Sequence, residues 1–141
     1  MNESELTVFV YGTLRSGSQD YYDAKGSEAD AHRRYLRDAD FLSPAKIQAE
    51  LYMVDYYPGI CLSLEDEWVV GELYLLRDFS QLHQLDVYEG CSAHSPKPHE
   101  YKREFAQVVL PNGEQNNAWA YIYMGDVASK EKVLSGDFLR R

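Results

Sequence analysis

Residues Tyr11-Gly12-Thr13-Leu14-Arg15-Ser16-Gly17 follow directly on an apolar run and are the first place where this chain could do chemistry. A glycine turn lets a ligand approach the main chain with no Cβ in the way. Several N–H groups can then aim at one point and cradle an anion or a polarised carbonyl. The Gly12 to Gly17 spacing imitates a phosphate-binding loop, but Ser18-Gln19 stand where Lys-Ser or Lys-Thr is required. Nothing would neutralise the phosphates, so nucleotide hydrolysis is excluded. Glycine turns after strands are also ordinary punctuation, and a second feature is needed. It is Glu89, in Asp86-Val87-Tyr88-Glu89-Gly90. A carboxylate in the last turn of a helix faces the negative end of the helix dipole. Burial in a cavity would push its pKa the same way, upward, toward the range useful for moving protons near neutrality. With 23 acidic residues in the chain, any one of them is more often a solvated surface charge. Placement, and not charge alone, singles out Glu89.

A third stretch, Tyr101-Lys102-Arg103, opens a strand in which alternation puts Tyr101 and Arg103 on one face. That pair either borders a pocket or is an edge cation and an aromatic packed against Trp119 or another neighbour. Cys91, His94 and His99 resemble zinc ligands only loosely, because a tetrahedral site needs a fourth ligand and no Cys-x-x-Cys pair is present. No metal is expected. Neither cysteine lies in an activating motif, so a thiol nucleophile has no support beyond the nearness of His94 to Cys91.

The elements that must position these groups read mostly as strands. Thr7 to Tyr11 is a near-continuous apolar run suited to a central strand covered on both faces. Phe41-Leu42 and Ile47 to Val54 form an extended region in which Pro44 implies a bulge or bend. Tyr57-Pro58-Gly59 turns into a short strand over Ile60 to Ser63, and Trp68 to Leu76 forms a longer one expected to pair with it. Phe105 to Leu110 and Ala118 to Tyr123 flank Pro111-Asn112-Gly113, where Asn-Gly supplies the positive φ angles of a tight hairpin. One helix is expected over Ser18 to Leu36, with Gly26 able to split it. A second starts at the cap Asp78, with Gln81 as in a capping box, Phe79, Leu82 and Leu85 on one face, and Gly90 at its close. The sum is a mixed α/β domain with a curved or closed sheet.

Charge and composition narrow the partners. The 141 residues suit one domain, residues 1 to 141, and 45% hydrophobic content suffices for one packed core. Fourteen Lys and Arg against 23 Asp and Glu leave a net charge of -9, which repels nucleic acid and anionic membrane surfaces. The two cysteines carry no disulfide framework, and the N-terminal residues Met1 to Glu5 lack a basic region and a long apolar stretch. A cytoplasmic protein is expected.

Taken in order, Phe9-Val10-Tyr11-Gly12-Thr13-Leu14, Tyr57-Pro58-Gly59, Leu85-Asp86-Val87-Tyr88-Glu89-Gly90, Tyr101-Lys102-Arg103 and Ser135-Gly136-Asp137-Phe138-Leu139 resemble the γ-glutamylcyclotransferase-like family over nearly the whole chain. The Tyr-Gly-Thr-Leu form looks closer to the γ-glutamylamine cyclotransferase branch and its bacterial relatives. The resemblance implies a small barrel of about six strands flanked by two or more helices, with a cavity at one end and no cofactor. It implies that Tyr11, Gly12, Thr13 and Leu14 hold the glutamyl part of a small substrate, with Pro58, Gly59, Tyr101 and Arg103 as further substrate-binding candidates, and that Glu89 is the acid and base. The charged Asp20 to Asp40 segment and the expanded Cys91 to Glu100 loop depart from the family pattern and bear on substrate choice.

The implied reaction suits the residue types. A γ-glutamyl amide carries its own nucleophile, so the enzyme has to fold the substrate, deprotonate its α-ammonium and protonate the departing nitrogen. One carboxylate can perform both proton steps, and the Gly12 turn, with Arg103 nearby, could stabilise the oxyanion. A non-catalytic small-metabolite binding module of the same fold stands as the alternative. So does an enzyme acting on a protein-linked or peptide γ-glutamyl group.

Overall fold

Strand β1 (Thr7–Val10) explains the architecture, because all four of its residues are buried and it needs partners on both edges. The computed structural model describes residues 3–16 and 31–140. β1 pairs antiparallel with β4 (Trp68–Leu75), from Thr7 opposite Leu75 to Val10 opposite Glu72, and parallel with β6 (Gln115–Tyr123) at Val8 and Trp119. Its side chains alternate between two cores. Phe9 points into the barrel with Ile47, Leu51, Ile60, Leu73, Val108 and Phe138, and Val8 and Val10 pack outside with Tyr74, Leu82 and Leu85.

The ring closes through β2 (Asp40–Met53), a 14-residue strand whose second half alternates cleanly, burying Ala45, Ile47, Ala49, Leu51 and Met53. It pairs antiparallel with β4 along Asp40 to Gln48 and with β3 (Pro58–Leu62) along Ala49 to Met53. β3 meets β6 in parallel at Ile60 and Ile122. Five strands, β1-β4-β2-β3-β6, thus form a closed mixed barrel. β5 (Tyr101–Val109) joins as the hairpin partner of β6 and touches β2 at Lys46 and Ile47, and β7 (Glu131–Lys132) lies on the end of β2. The register slips between Phe41 and Ser43, just before Pro44, which removes a ladder donor and bends the strand.

The expected pairing of the Ile60 and Trp68 strands does not occur. β2 lies between them, since a strand this long has two edges to satisfy and takes β4 on one and β3 on the other. The hairpin also differs from expectation. Leu110 N–H donates to Glu114 and Gly113 N–H donates to Leu110, each at 2.9 Å, enclosing a three-residue loop in which Gly113 alone has positive φ, at 87°. That is the type I turn with a glycine bulge, and Asn112 keeps ordinary backbone angles.

Two α-helices are described, α1 (Ala31–Tyr35) and α2 (Phe79–Tyr88). Residues 18–30 of the expected Ser18 to Leu36 helix lie outside the described residues, and the helix ends at Tyr35, one residue before Leu36. No helix among the described residues is long and apolar enough to cross a membrane. Asp78 caps α2 by accepting from the Gln81 N–H at 2.9 Å. The Gln81 side chain accepts from the Arg77 N–H at 2.7 Å and donates to the carbonyls of Tyr35 and Arg37. This full set of partners lets a polar residue share the buried face with Leu82 and Leu85, and Phe79, expected there, is 47% exposed instead. Asp78→Ala should cost about 1 kcal/mol, read as a lower denaturant midpoint with an unchanged slope.

Candidate active site

β1 delivers the chain into the turn at Gly12 to Arg15, closed by a hydrogen bond from the Arg15 N–H to the Gly12 carbonyl at 3.0 Å. Tyr11 is buried, and its hydroxyl donates to the Tyr121 carbonyl at 2.6 Å, tying the start of the turn to β6. Gly12 is required by space: a Cβ there would lie 2.7 Å from Pro58 Cγ. The Thr13 hydroxyl shares a 2.7 Å hydrogen bond with that of Tyr88 on α2, and Leu14 anchors the turn in the outer core.

Behind the turn lies a charged lock. Glu72 of β4 accepts from both the amide and the hydroxyl of Ser16 at 3.0 Å, and from the Tyr74 hydroxyl at 2.8 Å. Arg15 spans two carboxylates, with Nε 3.5 Å from Glu72 and Nη1 2.7 Å from Asp137. Asp137 in turn accepts from the Leu139 N–H, next to the fully buried Phe138 that fills the barrel. The Ser135 to Leu139 motif therefore holds the turn from below.

Glu89 is the residue on which α2 ends. Its N–H donates to the Leu85 carbonyl at 2.9 Å, and the chain leaves through Gly90 at a φ of 72°. The carboxyl is drawn over a cavity of about 270 Å³ whose lining includes Tyr11, Gly12, Thr13, Leu14, Pro58, Tyr88, Glu100, Tyr101 and Tyr121. Burial, and after it the negative charges of Glu100 and Asp86, push the Glu89 carboxyl up to about 8. The Tyr11 hydroxyl is raised well above its ordinary value, first by burial and then by Glu89. Tyr101, whose hydroxyl donates to the Pro58 carbonyl at 2.5 Å, is raised mainly by burial as well. These phenols are neutral hydrogen-bonding walls around one proton-holding acid.

Of the residues singled out in the sequence, the structure gathers Tyr11, Gly12, Thr13, Leu14, Pro58, Glu89 and Tyr101 about this cavity. Gly59 and Arg103 do not line it. Gly59 packs under Tyr123, and Arg103 stacks on the Trp119 ring at 4.2 Å with its Nε 2.9 Å from Asp86. That contact is an ion pair without the alignment of a hydrogen bond. Asp86 also accepts from the Tyr121 hydroxyl at 2.8 Å, so Arg103 reaches the site only through this carboxylate. Sequence reasoning missed Tyr57, Tyr88, Glu100 and Tyr121 on the walls, and Glu72 behind them. Glu72 had a signal: it is the single charge in the apolar run Trp68 to Leu76, and a buried charge needs a partner. Among the described residues no three His, Cys, Asp or Glu side chains converge as a metal site requires.

Known proteins are similar to this chain in sequence and in fold. A Vibrio cholerae protein provisionally named a γ-glutamylcyclotransferase is 32% identical over 136 residues, covering 95% of this chain and 96% of its own. The γ-glutamylaminecyclotransferase A of Danio rerio is 28% identical over 123 residues, covering 84% of this chain and 68% of its own. The solution structure of ytfP from Escherichia coli superposes with a TM-score of 0.61 at 26% identity, covering 96% of this chain and 97% of its own. The model of the γ-glutamyl cyclotransferase, AIG2-like, family matches residues 8–140, from the buried strand that feeds the turn to the segment that locks it, and the chain belongs to that family.

Proposed function

We propose that this enzyme cyclises a γ-glutamyl amine or γ-glutamyl amino acid to 5-oxoproline and releases the free amine, with Glu89 as the proton carrier. The observation that carries the reading is the placement of Glu89, raised to about 8, on the same cavity as the Tyr11 to Leu14 turn. The turn holds the glutamyl part by its main chain and Tyr101 closes one side. The Glu89 carboxylate takes a proton from the α-ammonium. The freed amine nitrogen attacks the γ-carbonyl carbon, closing a five-membered ring, and the turn N–H groups meet the oxyanion. The bond from that carbon to the departing nitrogen then breaks as Glu89 returns the proton to it, and the second proton left on the ring nitrogen passes by the same carboxylate to the released amine, which leaves as an ammonium. Atoms balance with no water consumed.

A panel of γ-glutamyl amines and dipeptides, assayed for lactam by mass spectrometry, tests this. Lactam with an equal amount of free amine is expected. A panel that raises the melting temperature and is recovered intact would instead identify a binding module. Because the base form of Glu89 is needed, kcat/KM should rise with pH through about 8. Arg103→Met leaves Asp86 uncompensated beside Glu89, so the rise should move to higher pH, as a pH profile of the variant would record.

A further inference from the structure

We propose, on the cyclisation reading above, that the leaving amine carries a second positive charge, received at the cavity mouth by Glu100 beside the rings of Tyr56 and Tyr57. The cavity has a direction. The Tyr11 to Leu14 turn and Tyr101 form its buried end, whereas Glu100 is exposed and Tyr56 is 36% exposed, which places them at the opening. With the glutamyl end held at the turn beside Glu89, the group attached to the departing nitrogen must point outward past these three residues. The described lining contains two carboxylates, Glu89 and Glu100, and no Lys, Arg or His. An anionic leaving group would meet uncompensated negative charge there, in a chain of net charge -9.

Glu100 is also held in place. The Tyr57 hydroxyl donates to its Oε2 at 2.5 Å, and its main-chain carbonyl accepts from the Met124 N–H at 2.8 Å. The Tyr56 and Tyr57 rings meet edge to face, with centroids 5.0 Å apart and planes at 85°, and such rings attract an ammonium through their negative faces. A cation at Glu100 would act on the chemistry as well. The groups that bear on Glu89 are Asp86 from its own helix, Glu100 from the loop before β5, and the phenols of Tyr11, Tyr101 and Tyr121 from the turn after β1, from β5 and from β6. Neutralising Glu100 removes one of the two negative charges that hold the proton on Glu89, and so favours the carboxylate that starts the reaction.

The test compares γ-glutamyl-diaminobutane with γ-glutamyl-pentylamine, in which a methyl group replaces the ammonium, and with γ-glutamyl-aminobutyrate, which ends in a carboxylate. Lactam release by the full chain should favour the ammonium substrate over the methyl one by about tenfold in kcat/KM, the sum of a rim ion pair and a cation–π contact. The carboxylate substrate should be the poorest. In Glu100→Gln, which keeps an acceptor for Tyr57, the preference should fall toward one, and Glu100→Lys should reverse it. Equal kcat/KM for the three substrates, or a preference unchanged in Glu100→Gln, would overturn the proposal while leaving cyclisation intact. Lactam from none of them would overturn the cyclisation reading itself.

Discussion

Glu89→Gln should lower kcat for lactam formation by about 10³-fold while the fold and ligand binding persist, because glutamine keeps the shape of the side chain and cannot carry a proton. The same variant should be more stable than the wild type in alkaline solution. An exposed glutamate titrates near 4.3, and in the folded chain burial and two neighbouring carboxylates raise Glu89 to about 8. A raised carboxyl favours folding fully below its unfolded value, and that contribution is lost as pH rises through the folded value. The wild type thus loses stability between about pH 4 and pH 8, and the glutamine variant, with nothing to ionise at that position, does not. Melting curves of the two proteins should lie close together near pH 4 and separate by pH 8 with the variant higher. Full turnover in the variant, or a wild type that gains on it as pH rises, would contradict the role given to this residue.

Arg15→Met should destabilise the chain by about 3 to 5 kcal/mol, the usual consequence of leaving buried charges without their partner. The side chains of Arg15, Glu72 and Asp137 are 12%, 10% and 16% exposed, so solvent screens them little and both carboxylates would lose the cation they share. The melting temperature should fall by roughly 10 °C or more. Arg15→Lys should recover only part of this, since one ammonium cannot reproduce a planar fork spanning two acids. If the loss comes from unpaired charge, the triple variant Arg15→Met, Glu72→Gln, Asp137→Asn should regain most of the stability. A triple variant as unstable as Arg15→Met would show instead that the arginine acts through its packing.

How much of this the sequence disclosed depended on the range of the interactions. The covered strand at Thr7 to Val10, the capped helix from Asp78 and the bend near Pro44 are set by neighbouring residues, and they were legible. Residues 11 to 14 and Glu89 were legible for the same reason, as a strand end and a helix end. Strand order was not, because nothing local tells β3 and β4 that a 14-residue strand will come between them. Phe79 was misplaced because spacing assigned it to the buried face, whereas a satisfied Gln81 occupies that face. Strand alternation left Arg103 either bordering a pocket or an edge cation, and the family resemblance made it a substrate-binding candidate. Its partners, Asp86 and Trp119, lie 17 and 16 positions away along the chain and come together only in the tertiary fold. Tyr57, Tyr88, Glu100 and Tyr121 share no sequence pattern, since the cavity wall is assembled from five separate segments.

The most direct measurement is the fate of a γ-glutamyl amine turned over in water enriched in heavy oxygen. Attack by the substrate's own amine predicts 5-oxoproline free of the label, one free amine for each lactam, and no glutamate. Glutamate bearing one heavy oxygen in its γ-carboxyl would mean that water is the nucleophile, and would contradict the account.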